Sequence, residues 1–310
     1  MAEQDTKHYD VTLQEEEYYY PPVEFIGQAN CTDPSIYERF SLENFPECFT
    51  EHAELLSWDK YWHTILDTSD APCWKWFVGG KLNASYNCVD RHLQEHRNKT
   101  AIYFVPELEG ERIQKITYQE LYRRVNETAA VLRDFAGLKA GDRVTLHLPM
   151  VPELPITMLA CARLGVIHSE VFSGFSGKAC ADRIWDSESE VLITMDAYYR
   201  GGKLLDHKSK ADEAVEAADK QGQKVNKVLI WQRYPGTYSG EPATVDGRDY
   251  FMNDLLQQYR GSVVDPVSMP AEEPLFLMYT SGSTGRPKGC VHSTGGYLSY
   301  VAWMSKYVQD

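Results

Sequence analysis

Leu275-Phe-Leu-Met-Tyr-Thr-Ser-Gly-Ser-Thr-Gly-Arg-Pro-Lys-Gly-Cys-Val-His292 is the stretch on which the reading of this chain turns. It opens as an apolar run, Leu275 to Met278, short enough for a buried strand rather than a helix. Small, hydroxylic and cationic side chains follow, Pro287 apart, and then an extended-looking Val291-His292. Gly282, Gly285 and Gly289 allow the main chain to approach a ligand closely. Thr280, Ser281, Ser283 and Thr284 add four hydroxyls, and successive N–H groups in such a turn form an anion-binding concavity. Lys288 and Arg286 bring positive charge. The composition describes a cradle for a polyphosphate; its ordinary alternative is a Gly/Ser hairpin loop. The pattern disfavours a P-loop, because that motif needs Gly-Lys-Ser/Thr running straight into a helix. Here Pro287 precedes the lysine and Gly289 follows it.

Upstream of this loop the pattern alternates between strands and helices. Ala101 to Val105, Val144 to Leu148, Val166 to Phe172, Glu190 to Met195 and Val225 to Trp231 read as strands. Thr117-Tyr-Gln-Glu120 is a capping box, opening a helix with Leu121, Val125, Ala129 and Leu132 on its buried stripe. Pro152 and Gly165 bracket a second helix, and Lys208 to Lys220 supplies a third. Such alternation predicts an α/β fold around a largely parallel sheet covered on both faces. Residues 234–248, rich in Gly, Pro and Asp, read as a surface loop. Val171-Phe-Ser-Gly-Phe-Ser-Gly-Lys178 reads as a strand-to-helix turn with Ser176 as N-cap, and Arg200 and Lys203 as solvated surface charges.

Further out, Trp74-Lys-Trp-Phe-Val-Gly-Gly-Lys-Leu-Asn-Ala-Ser-Tyr-Asn-Cys-Val-Asp-Arg-His-Leu93 reads as a strand, a Gly79-Gly80 turn and a capped segment. Asn83, Asn87, Asp90 and Arg91 are expected there to satisfy backbone groups rather than a ligand. From Ser35 to Leu66 apolar residues recur at three- and four-residue steps, which predicts helix. Residues 1–35, centred on Glu15-Glu-Glu-Tyr-Tyr-Tyr-Pro-Pro22, read as an extended acidic and aromatic arm on the surface.

Two of these stretches carry a family resemblance. Tyr279 to Gly289 resembles the signature loop of the adenylate-forming enzymes, and Trp74 to Leu93 is similar to the amino-terminal region of AMP-forming acetyl-CoA synthetases. The resemblance implies a parallel-sheet-rich amino-terminal portion of that family's large domain. It also implies a division into residues 1–35 (arm), 36–95 (amino-terminal region) and 96–310 (incomplete AMP-binding domain). The implied reaction joins acetate to coenzyme A at the expense of ATP, with Mg²⁺, through an acetyl-adenylate. Thr280, Ser281, Gly282, Ser283, Thr284, Gly285, Lys288 and Gly289 would hold the ATP phosphates, with Lys288 catalytic. Phe172, Ser173 and Gly174 match the family's Phe-Gly-Gly-Phe-Ser-Pro element along the coenzyme A nucleotide, departing from it at Ser173 and Gly177. Arg200, Gly201, Gly202 and Lys203 match its Arg-x-Gly-Arg contact to the 3′-phosphate, although Lys203 offers a point charge where the pattern has a planar fork.

The resemblance runs from about Ile36 to Asp310 and covers about half of the family pattern, leaving out the acid pocket and the mobile carboxy-terminal domain. A truncated product, a split enzyme and a fragment are the expectations this raises, with the carboxy-terminal half or a full-length relative as partner. A nucleotide-binding remnant without activity, or a synthetase for propionate or another short-chain acid, are the alternatives. A net charge of −14 disfavours a nucleic-acid partner. Seven scattered cysteines without Cys-x-x-Cys fit reduced core thiols, and no histidine spacing suggests a protein-bound metal. The absence of a signal-type h-region and of any long apolar stretch leads to a cytoplasmic, non-membrane expectation.

Overall fold

The computed structural model describes residues 20–233, 244–280 and 287–309. Most of the acidic arm, most of the Gly/Pro-rich loop and the centre of the 275–292 stretch lie outside these residues. The 35–66 stretch is not the helix its periodicity predicts. Ile36–Arg39 and Thr50–Ala53 are single turns linked by 3-10 turns, and Thr64–Asp67 (β1) is a strand. Pro46 breaks the run, and the aromatic residues pack on one another instead of along a helix face. Trp58, Trp62 and Phe77 meet edge-on with ring centroids 4.9, 5.1 and 5.7 Å apart.

β1 pairs antiparallel with Lys75–Val78 (β2), and Gly79, at φ +79°, turns the chain into Lys81–Leu82 (β3). Asn83 then caps the helix Ala84–Cys88 by accepting from Tyr86 N–H at 3.0 Å, while its amide donates to Ala162 O at 3.0 Å and Val267 O at 2.8 Å. Asn87 accepts from Ser57 N–H and donates to Ser57 O. Asp90 pairs with the buried Arg163 at 2.8 Å, and Arg91 donates to Leu55 O. Asn83, Asn87 and Arg91 bind backbone groups, as expected of them, whereas Asp90 departs from that expectation and holds a buried guanidinium.

Thr100–Phe104 (β4) and Gln114–Thr117 (β5) form a hairpin, and Thr117 Oγ1 caps the helix Tyr118–Ala130. The central sheet is built from Arg143–Leu148 (β6), Ile167–Phe172 (β7), Val191–Met195 (β8), Lys227–Trp231 (β11), Asp249–Phe251 (β12), Pro274–Thr280 (β14) and Lys288–Ser293 (β15). Between β8 and β11 the chain makes a small hairpin from Ala197–Arg200 (β9) and Lys203–Asp206 (β10). Met269–Pro270 (β13) returns to pair with β3. The sheet order is β12-β11-β8-β6-β7-β14-β15, parallel throughout except for β14 with β15. This is the mixed α/β architecture expected.

Helices cover both faces of the inner strands. Gly177–Asp186 and Lys208–Lys220 seal one face over Val171, Leu192, Val228 and Ile230. Tyr118–Ala130, Glu153–Leu164 and Met252–Gln258 seal the other over Val144, Leu146, Ile193 and Leu229. The apolar run at the start of β14 is only half buried: Leu275 and Phe276 are inside, but Met278 is 44% exposed.

Candidate active site

At the carboxyl end of β7 the chain turns at once into the helix Gly177–Asp186, whose N-cap Ser176 accepts from Ala179 N–H at 3.2 Å. Phe172 is exposed at that strand end. Ser173 is buried, and its carbonyl accepts from Lys210 Nζ at 3.3 Å and Tyr198 hydroxyl at 3.4 Å. A Cβ on Gly174 would fall 2.5 Å from the Phe172 ring and 2.8 Å from the Arg200 guanidinium. The missing side chain therefore lets Arg200 lie across this turn, with its guanidinium 5.5 Å from the Phe172 ring centre.

Arg200 owes its place to the turn that follows. Arg200 and Lys203 are paired across β9 and β10, so the loop has two residues, Gly201 at φ +60° and Gly202 at φ +72°. Two positive φ angles in a two-residue hairpin make a type I′ turn, which glycine adopts without strain. Beneath it, the buried Asp196 accepts from Ala197 N–H at 2.7 Å and Arg233 N–H at 2.9 Å, tying β9 to the end of β11. His207 Nε2 lies 2.9 Å from the His147 carbonyl. Burial holds both imidazoles neutral, His147 down to about 2 and His207 down to about 4.

Phe172, Ser173 and Arg200 line a cavity of about 400 Å³. Its other wall comes from Phe104 and Glu107, after β4, with Met150, Tyr199 and Arg233. Arg233 sits 4.6 Å over the Phe104 ring and pairs with Glu111 at 2.7 Å. Reading the sequence missed this wall. The contributing segments are scattered along the chain from Phe104 to Arg233, and no local motif marks any of them.

The second segment lies along the same sheet edge. β14 runs parallel to β7, so Thr280 leaves the sheet on the side where Phe172 does. Thr280 and Lys288 are register partners at the mouth of the β14–β15 hairpin, and both are exposed, as is Gly289. Ser281, Gly282, Ser283, Thr284 and Gly285 lie outside the described residues. The flanking strands are those of a hairpin, so a hairpin and a phosphate cradle are not exclusive readings of this loop. Tyr279, next to Thr280, donates its hydroxyl to Asp186 Oδ2 at 2.8 Å, and burial, reinforced by Asp186, pushes its phenol well above the usual range. Arg183 stands between the two segments, 4.6 Å from the Phe175 ring and 5.3 Å from the Tyr279 ring. Among the described residues no group of three or more His, Cys, Asp or Glu side chains could hold a metal ion, and no helix is long and apolar enough to cross a membrane.

Residues 89–310 match the AMP-binding enzyme family, and residues 35–88 match the acetyl-coenzyme A synthetase N-terminus. Among curated proteins, the acetyl-coenzyme A synthetase of Pyrobaculum aerophilum is 44% identical over 285 residues, covering 88% of this chain and 41% of that protein. The 3-hydroxypropionyl-coenzyme A synthetase of Sulfurisphaera tokodaii is 48% identical over 288 residues, 90% of this chain and 42% of its own length. The acetyl-coenzyme A synthetase of Rubrobacter xylanophilus is 42% identical over 293 residues, with 94% and 44% covered. The chain thus spans less than half the length of these relatives. With more than two thirds of its residues inside the larger match and the smaller one joined directly before it, the chain belongs to the AMP-binding enzyme family.

Proposed function

We propose that this chain is the amino-terminal portion of an AMP-forming acid–thiol ligase. A carboxylate oxygen attacks the α-phosphorus of ATP, supplied with Mg²⁺, and pyrophosphate leaves. The thiolate of coenzyme A then attacks the acyl carbon, and AMP leaves. Acetate is the acid we favour, since several relatives are named for it, and 3-hydroxypropionate is the specific alternative that another relative's name supplies. Lys288, with Thr280, Gly289 and residues 281–285, would cradle the phosphates. The extra length of the relatives would supply the acid pocket. We read residues 36–95 as an amino-terminal unit and 96–310 as part of the AMP-binding domain, working in the cytoplasm.

The observation that carries the proposal is the cavity in which Arg200 lies across Phe172 and Gly174. Two segments 26 residues apart, each matching a coenzyme A element, meet there around a cation and aromatic rings, which suits a phosphorylated nucleotide. Calorimetric titration with coenzyme A and dephospho-coenzyme A tests it, because the latter lacks the 3′-phosphate. Arg200→Ala should weaken coenzyme A roughly ten- to hundredfold, the value of a charge-assisted hydrogen bond, and leave dephospho-coenzyme A nearly unchanged. Equal losses with both thiols would mean that Arg200 serves the fold instead.

A further inference from the structure

The turn that carries Arg200 is made of two glycines, and two glycines alone would hold it loosely. The β9–β10 ladder pairs Arg200 with Lys203 and leaves the Gly202 N–H at the turn. That N–H donates to Glu107 Oε1 at 2.7 Å, across 95 residues of sequence. Glu107 belongs to the loop between β4 and β5, which also lines the cavity. The same loop is fastened a second time, four residues on, where Glu111 pairs with Arg233. Arg233 is in turn fixed by its N–H to Asp196 and by its stacking over Phe104. A carboxylate hydrogen-bonded to the main chain is thereby delivered to the Gly201-Gly202 turn from an anchored loop.

We propose that Glu107 is a positioning residue for the coenzyme A corner. It narrows the motion of the Gly201-Gly202 turn so that Arg200 stays in line with the 3′-phosphate. The proposal rests on the coenzyme A reading above. Holding a binding group in place before the ligand arrives lowers the ordering cost of binding. The role needs an acceptor at Gly202 and does not need the negative charge, which by itself opposes a phosphate.

These two properties separate in Glu107→Gln, which keeps an acceptor, and Glu107→Ala, which does not. With this chain, Glu107→Ala should weaken coenzyme A roughly three- to tenfold by calorimetry and leave dephospho-coenzyme A within about twofold. Glu107→Gln should bind coenzyme A as well as the native chain or better. Without ligand, hydrogen exchange at the Gly202 amide should quicken in Glu107→Ala and not in Glu107→Gln. The proposal is overturned by native or tighter coenzyme A binding in Glu107→Ala, by equal loss of both thiols, by a Gln variant as weak as Ala, or by unchanged Gly202 exchange. If the native chain does not distinguish the two thiols, the coenzyme A reading falls and the ligand role of Glu107 with it. An exchange result of either sign still reports separately on the clamp.

Discussion

Strand β8 is buried at every position, whereas no residue of β15 is buried and its first four are exposed. Both belong to one sheet. β8 has strands on either side and helices above and below, so Val191 to Met195 can be apolar or polar-but-covered without regard to alternation. β15 has a single strand neighbour, and Val291 stands 61% exposed on it. The contrast teaches where this molecule keeps stability and where it keeps chemistry. The inner strands hold the fold; the outer hairpin presents Thr280 and Lys288 to whatever binds there.

The largest effect that could break this comparison is on stability. Ile193→Ala, in the fully buried centre, should cost about 2–5 kcal/mol, while Val291→Ala on β15 should stay within about 0.5 kcal/mol. Urea unfolding of the two variants measures both. A large loss at Val291 would show that β15 is covered in solution and would end the contrast.

Lys288→Ala sharpens the same contrast from the side of chemistry. In an enzyme extended to the length of its relatives, ATP–pyrophosphate exchange should fall by about 10²–10³, because a preorganised cation acts most where charge develops on the leaving pyrophosphate. The exposed position should leave the melting temperature of the variant unchanged. Normal exchange in the folded variant would remove Lys288 from the mechanism.

A further effect comes with acid. His147 and His207 have pKa values below the usual 6.5 because burial disfavours their charged forms, so below 6.5 the unfolded chain takes up protons that the folded one refuses. Their contribution is complete above about 6.5 and is lost as pH falls, towards about 4 for His207 and about 2 for His147, at roughly 1.4 kcal/mol per pH unit per histidine. Melting temperatures between pH 7 and 4.5 should fall less in His207→Gln than in the native chain. Identical slopes would place the acid sensitivity elsewhere.

Legibility in the sequence followed the range of the forces involved. The Thr117 cap, the Gly165 stop at φ +71° and the Ser176 cap were readable because each depends on residues within one turn. The inner strands were readable because continuous apolar runs announce a covered sheet. Residues 35–66 mislead because aromatic residues at helical spacing serve contacts outside the stretch, with Phe77 just beyond it and with Trp303 far along the chain. Phe172 to Gly174 and Arg200 to Lys203 could be named as two motifs, but their meeting through Gly174 needed coordinates. The Phe104–Glu107 wall gave no local sign at all.

The amino-terminal segment has a consequence for the order in which the molecule can be made. β3 pairs with β13, Gly79 N–H donates to Glu272, Ala271 N–H to Gly80 O, and Asn83 reaches Val267 O. On the ribosome, residues 79–83 therefore emerge long before the residues that complete them. At about 5–20 residues per second, the wait is on the order of 10–40 s. Through that interval Leu82, buried in the finished fold, lacks the partner strand β13. The nascent chain is most exposed to trapping by other molecules in that window, and it closes when the segment around Val267 to Glu272 leaves the exit tunnel.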